Sequence, residues 1–257
     1  MKTKLATLLC GFALLGATIT VNASFVTLDL QGNSTLSNSA DIAGFPLGVP
    51  TYLGGVPFLQ NNSHGQVWNA ALDAGVGSGS PVSHTLSVSI PNATGFYSLI
   101  NTWWGQDAAG GSFASLTFNF GDGSSFTKDL YGNQDIRDFN NPWSMYTTTI
   151  NGTTTLPVYQ NTSGAAYYID RQWFDFSLYG DSGKTLTSVV FNDTGAWLSQ
   201  RYLVSGATVQ SGVEGQVTAP MLTSGEIGGP VTVPEPSTWA MSLVAGLGGL
   251  LAYRRRR

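Results

Sequence analysis

The sequence predicts an all-β fold, a two-sheet β-sandwich of jelly-roll type. Three observations point there. Apolar and polar residues alternate with period two over several short runs. Those runs stop at turn signals rich in Gly, Asn and Asp. Between Ser24 and Val209 no apolar stripe repeats with a helical period.

The first element precedes the strands. Lys2 and Lys4 form a positive start, an apolar run follows from Leu5 to Ile19, and Val21, Asn22 and Ala23 end it with a small residue. This three-part pattern predicts a signal peptide over 1–23, removed on export. Cys10 is the only cysteine and falls inside that segment, so the mature chain has no disulfide and no thiol chemistry.

The body over 24–209 reads as about ten short strands. They are expected at 25–30, 84–90, 96–101, 115–120, 126–131, 145–150, 166–170, 172–179, 185–191 and 202–209. In "HTLSVSI", Leu86, Val88 and Ile90 share one face and Thr85, Ser87 and Ser89 the other. In "SLTFNF", Leu116, Phe118 and Phe120 share a face, and "QWFDFSLY" aligns Phe174, Phe176 and Leu178. Turns are expected at "GDGS" from Gly121, "NGT" from Asn151, "NTSG" from Asn161, "GDSG" from Gly180 and "NDTG" from Asn192. The body is long enough to bury a core without covalent staples.

Charge is sparse. Only 10% of residues are charged, against about 25% in typical soluble proteins. Six of the eleven Lys and Arg residues lie in the two terminal signals. Residues 24–233 hold five basic residues (Lys128, Arg137, Arg171, Lys184 and Arg201) against fourteen acidic ones, a net charge of −9. An acidic body with scattered bases excludes the clustered positive face that nucleic-acid binding requires.

From 210 to 233 the alternation fades into a Gly-, Pro-, Thr- and Val-rich linker. A flexible chain of that length spans about 27 Å. The last element, 234–257, opens on Pro234, Glu235 and Pro236. It continues through an apolar stretch from Thr238 to Tyr253 and closes on Arg254, Arg255, Arg256 and Arg257. As a helix the stretch measures about 24 Å, a marginal single transmembrane span. Trp239 and Tyr253 are suited to its interfaces, and the four arginines hold its end on the cytoplasmic side.

The order of these three parts closely resembles the PEP-CTERM sorting signal of Gram-negative bacteria. The resemblance covers about 25 residues and does not extend to the body. It implies recognition by an exosortase, a membrane-embedded cysteine transpeptidase-like enzyme, with processing near Pro234-Glu235-Pro236. It also implies delivery from an inner-membrane intermediate to the cell envelope or extracellular matrix, and an association with exopolysaccharide.

Two constellations in the body carry candidate chemistry. The stretch "DLYGNQDIRDFNNPW" supplies hard oxygen ligands from Asp129, Asn133, Asp135 and Asp138, with Asn140 and Asn141 beside them. Such a set suits calcium, the one cofactor the sequence suggests; its spacing is not that of an EF-hand, and a solvated loop of Asx turns is the alternative. Trp103, Trp104 and Trp143 are candidates for stacking on sugar rings, while core packing is the competing role for each. "GGVPF" at Gly54 with Trp68 downstream resembles the opening of galactose-binding-like β-sandwich domains, which favours that version of the fold.

Enzymatic signals are weak. His64 and His84 are the only histidines, and no nucleophile elbow, phosphate loop or dinucleotide fingerprint is present. The body up to Val209 has twelve Asp and no Glu, with no pair marked for glycoside hydrolysis. The expectation is therefore an exported, non-catalytic envelope or matrix protein, with a carbohydrate-binding sandwich as one form of it. A secreted polysaccharide-active enzyme, hydrolase or lyase-like, is the alternative.

Overall fold

A computed structural model of the 257-residue chain describes residues 24–32, 50–59, 67–75, 79–103, 111–139, 147–161, 167–195 and 201–212. Most of them are strand. In order come β1 (Ser24–Leu28), β2 (Pro50–Leu53), β3 (Val56–Leu59), β4 (Trp68–Asn69), helix α1 (Ala70–Ala74), β5 (Val82–Trp103), β6 (Ser112–Phe120) and β7 (Ser125–Tyr131). Then follow β8 (Thr155–Asn161), β9 (Tyr167–Asp175), a 3-10 helix at Phe176–Tyr179, β10 (Lys184–Asp193) and β11 (Arg201–Ser211).

The 22-residue β5 organises the fold. Its first half pairs with β10, which continues through β6 to β7. Its second half pairs with β11 on one side and β9 on the other. β11 also carries β1 and β4, and β8 lies against β9. The described residues thus form one nine-stranded antiparallel sheet and a separate β2–β3 hairpin.

The partner change falls at Pro91, Asn92 and Ala93. Pro91 has no N–H to contribute to a ladder, and Asn92 sits at φ +51°, a conformation Asn tolerates better than most residues. Their carbonyls are nonetheless satisfied. Ser211 Oγ donates to Pro91 O at 2.9 Å, Gly212 N to Asn92 O at 2.9 Å and Gly183 N to Ala93 O at 2.8 Å. A strand that bends between two sets of neighbours forms a corner.

That corner brings the two halves of the sheet onto one core. Phe96 of β5 meets Phe118 of β6 at 5.2 Å between ring centroids, and Phe118 meets Phe174 of β9 at 5.4 Å. Phe191 of β10 meets Tyr202 of β11 at 6.1 Å. Phe118 also touches Phe126 and Phe176. Edge-to-face pairs of this kind add about 0.5–1.5 kcal/mol beyond their buried area.

A smaller core lies on the opposite face of β5 and β9. The β2–β3 hairpin turns at Gly54 and Gly55, φ +56° and +79°, the two positive values a type I′ turn requires. Its Leu53, Val56 and Phe58 pack on Leu99, Val158 and Ile169.

The all-β expectation holds, with local corrections. The two sheets read from the sequence are halves of one, joined through β5, and the strands expected at 84–90 and 96–101 are a single strand. The run expected as a strand to 179 leaves β9 after Asp175, whose carboxylate accepts from Ser177 N at 2.8 Å and starts the 3-10 helix. Residues 147–150 are not strand, β2, β3 and β8 were not expected, and β11 runs to Ser211, past the boundary at 209. The five-residue α1 has no helical period to display and is set by its Asn69 cap, whose side chain accepts from Ala71 N at 2.9 Å. Among the described residues no helix is long and apolar enough to cross a membrane. The expected signal peptide, linker from 213 onward and C-terminal segment lie outside the described residues.

Candidate functional site

The polar stretch after β7 folds inward. Tyr131 O accepts from Asp135 N at 2.8 Å and reverses the chain, with Asn133 at φ +59°. The side-chain oxygen of Asn133 accepts from Thr148 N at 2.7 Å and from Thr149 N at 3.1 Å. Ile136 then enters the main core, fully buried. Asp135 O accepts from Thr155 Oγ1 at 2.8 Å and Gln172 Nε2 at 3.2 Å. Thr102 N donates to Arg137 O at 3.0 Å and Phe139 N to Thr102 O at 3.2 Å, so the segment runs beside the end of β5.

This arrangement places the four candidate calcium ligands in separate roles. Asp129 is exposed on β7. Asn133 holds the 148–149 backbone. Asp135 accepts from Tyr131 N at 3.1 Å and pairs with Lys128 at 3.5 Å. Asp138 is buried, with its N–H on Thr147 O at 3.1 Å. Among the described residues no three His, Cys, Asp or Glu side chains gather around a common point. The described part of the stretch, residues 129–139, runs inward as a plug, in which backbone N–H groups bond the Asn133 side-chain oxygen and Tyr131 N and Lys128 engage Asp135. Asn140 and Asn141 lie outside the described residues.

Arg137 anchors the plug. It reaches the fully buried Asp170 of β9 through two bonds, Nε to Oδ2 at 2.8 Å and Nη2 to Oδ1 at 2.7 Å. Asn101 Nδ2 donates to the same Oδ2 at 2.9 Å, and the guanidinium lies 4.0 Å from the ring centre of Tyr168. Burial pushes the Asp170 carboxyl up, against the pull of Arg137 and Asn101. A second buried pair joins Asp193 and Arg201, 3.2 Å apart and both inaccessible. Burial raises Asp193 too, opposed by the N–H groups of Tyr202 and Gly195.

Trp103 stacks on Phe139 at 5.7 Å beside Val67 and Leu203. The ring is half-buried and its Nε1 is inaccessible and without a partner. Its packing is that of a satellite core. Trp104 and Trp143 lie outside the described residues.

The remaining groups are also engaged. Trp68 is buried, donates to Asp73 at 2.8 Å and stacks on His84. His84 Nε2 donates to Leu30 O at 2.6 Å. Lys184 bridges Asp122 at 2.9 Å and Asp181 at 2.6 Å. Arg171 donates to Gly54 O and lies 5.4 Å from the centre of Tyr97, which stacks on Trp173 at 4.3 Å. All five cations of the body are therefore held by acidic groups, a carbonyl or a ring.

The sequence reading missed the Arg137–Asp170–Asn101 network and the Lys184 bridge. Periodicity shows which face a residue takes, and not which distant partner it meets. Comparisons with known protein families, with curated proteins and with solved structures find no match to this chain.

Proposed function

We propose that the chain is an exported, non-catalytic envelope or matrix protein. In this reading an exosortase sorts it through Pro234-Glu235-Pro236, the apolar segment and Arg254 to Arg257, and its body faces exopolysaccharide. The observation that carries the sorting part is the order of those elements at the C-terminal end, together with the signal-like first 23 residues. We read the body as a jelly-roll or galactose-binding-like β-sandwich. The sheet folded at β5, with both halves on one core, supports that layout.

Among the described residues, the two carboxyls raised by burial are not placed to act as general acids. Asp170 and Asp193 have raised pKa values, as a general acid needs, but both are buried and tied to arginines. The engagement of every body cation also disfavours an anionic partner.

The test is replacement of Pro234, Glu235 and Pro236 by alanine in the native host, with the C-terminus of the exported protein read by mass spectrometry. The expected result is intact export with loss of C-terminal trimming. An identical mature C-terminus in variant and wild type would sink the sorting reading.

A further inference from the structure

One corner of the body presents a ring that is packed on one side and still 41% exposed. The 3-10 helix at Phe176–Tyr179 is capped by Asp175 at its start and ends at Gly180, φ +74°. Asp181 N donates to Phe176 O at 3.0 Å and closes the turn. The device holds Tyr179 against Phe126 of the edge strand β7, with ring centres 4.0 Å apart and planes within 6°. Phe126 in turn meets Phe118, with ring centres 4.9 Å apart and planes tilted by 31°. A continuous pile of rings runs from the core to the surface and ends at Tyr179, which is 41% exposed. Leu178 beside it is 78% exposed, the most exposed large apolar side chain among the described residues.

Polar groups flank the ring. Phe120 stacks on Phe126 at 6.1 Å and carries the Lys184 ammonium 5.9 Å from its centre. That ammonium joins the half-exposed Asp122, the buried Asp181 and, at 2.8 Å, Ser124 Oγ. Hydrogen bonds from Ser124 and Lys184 hold Asp122 far below the usual carboxylate range, so it stays an ionised acceptor.

Size and charge select the ligand. A stable protein interface buries about 800 Å² on each side, whereas two side chains offer a few hundred at most. A patch that small matches one or two saturated rings. The corner has two carboxylates for one ammonium on a body of net charge −9, which repels an anionic polymer and favours donors such as hydroxyls. We propose that Tyr179, with Leu178 and the Asp122–Lys184 pair, forms a binding site for a neutral polysaccharide, the ring taking a sugar's C–H face and Asp122 its hydroxyls. The assignment rests on the polysaccharide-facing reading of the body and adds its location and the charge class of its ligand.

The experiment is affinity electrophoresis of the full-length protein in mild detergent, through gels containing dextran, galactomannan or laminarin, with alginate as the anionic polymer. Wild type is retarded by at least one neutral polymer and not by alginate. Tyr179→Ala raises the dissociation constant about tenfold or more, while Tyr179→Phe stays within about threefold because it keeps the stack. Tyr179 is exposed, so an unchanged melting temperature verifies that Tyr179→Ala is folded. Retention of wild type that Tyr179→Ala leaves unchanged, or that Trp173→Ala abolishes instead, overturns this site and leaves the polysaccharide reading intact. Stronger retention by alginate overturns the ligand class. No retention of wild type by any polymer overturns both the site and the reading.

Discussion

Replacing Arg137 by methionine tests whether the plug closes the fold. The substitution keeps much of the side chain's apolar length and removes the fork on Asp170, which is fully buried, while the Arg137 side chain is 10% exposed. Removing one partner of a buried pair leaves an uncompensated charge, at a cost of about 3–5 kcal/mol. For a body of this size each kcal/mol shifts the melting temperature by about 2–4 °C, so the drop is about 6–20 °C at pH 7. The sign of its pH dependence follows from the carboxyl. Burial already raises Asp170, and without Arg137 it rises further. A carboxyl raised in the folded state takes up its proton there first, so stability returns as pH falls through that raised value toward the unfolded value near 3.9. The deficit of Arg137→Met against wild type therefore shrinks between pH 7 and pH 4, and Arg137→Met with Asp170→Leu recovers most of it. The assay is thermal unfolding of the full-length protein in detergent, followed by near-ultraviolet circular dichroism. A drop under about 2 °C that does not vary with pH would refute the buried pair.

Two further outcomes follow from the same interior. Phe118→Ala removes the ring at the centre of the aromatic cluster and costs about 3–5 kcal/mol, seen as a similar fall in melting temperature; a fall under 2 °C contradicts that packing. In wild type, the raised Asp170 and Asp193 make stability increase as pH drops from 7 toward 4, whereas the lowered Asp122 withdraws its contribution only as pH falls below the ordinary carboxylate range. A melting temperature that declines steadily from pH 7 to pH 4 contradicts that balance.

Strand faces were legible where alternation met burial directly. Phe118 and Phe120 sit in the core as their spacing requires, and so do Phe174 and Phe176. Phe176 keeps its inward place although the chain has left β9 for a 3-10 helix, so the period could not mark the change. Residues 91–95 lie between two expected strands, because the turn residues Pro91, Asn92 and Gly95 also serve a strand that bends. Gly95 has a second reason, since a Cβ there would lie 2.1 Å from the Trp173 ring. The β2–β3 hairpin had a usable signal in the Gly54-Gly55 pair between two apolar runs. The plug had none. Asn133 and Asp135 engage Thr148, Thr149, Thr155, Gln172 and Lys128, partners that no local spacing reveals. Tyr179 was hidden in the same way, inside a run whose alternation suggested a strand.

The intact mass of the protein recovered from the envelope or medium of its native host tests the proposed sorting at both ends at once. The account predicts a chain that begins at Ser24 and ends near Pro234, without the apolar segment or the four arginines. A recovered mass of 27.1 kDa, that of all 257 residues, would contradict it.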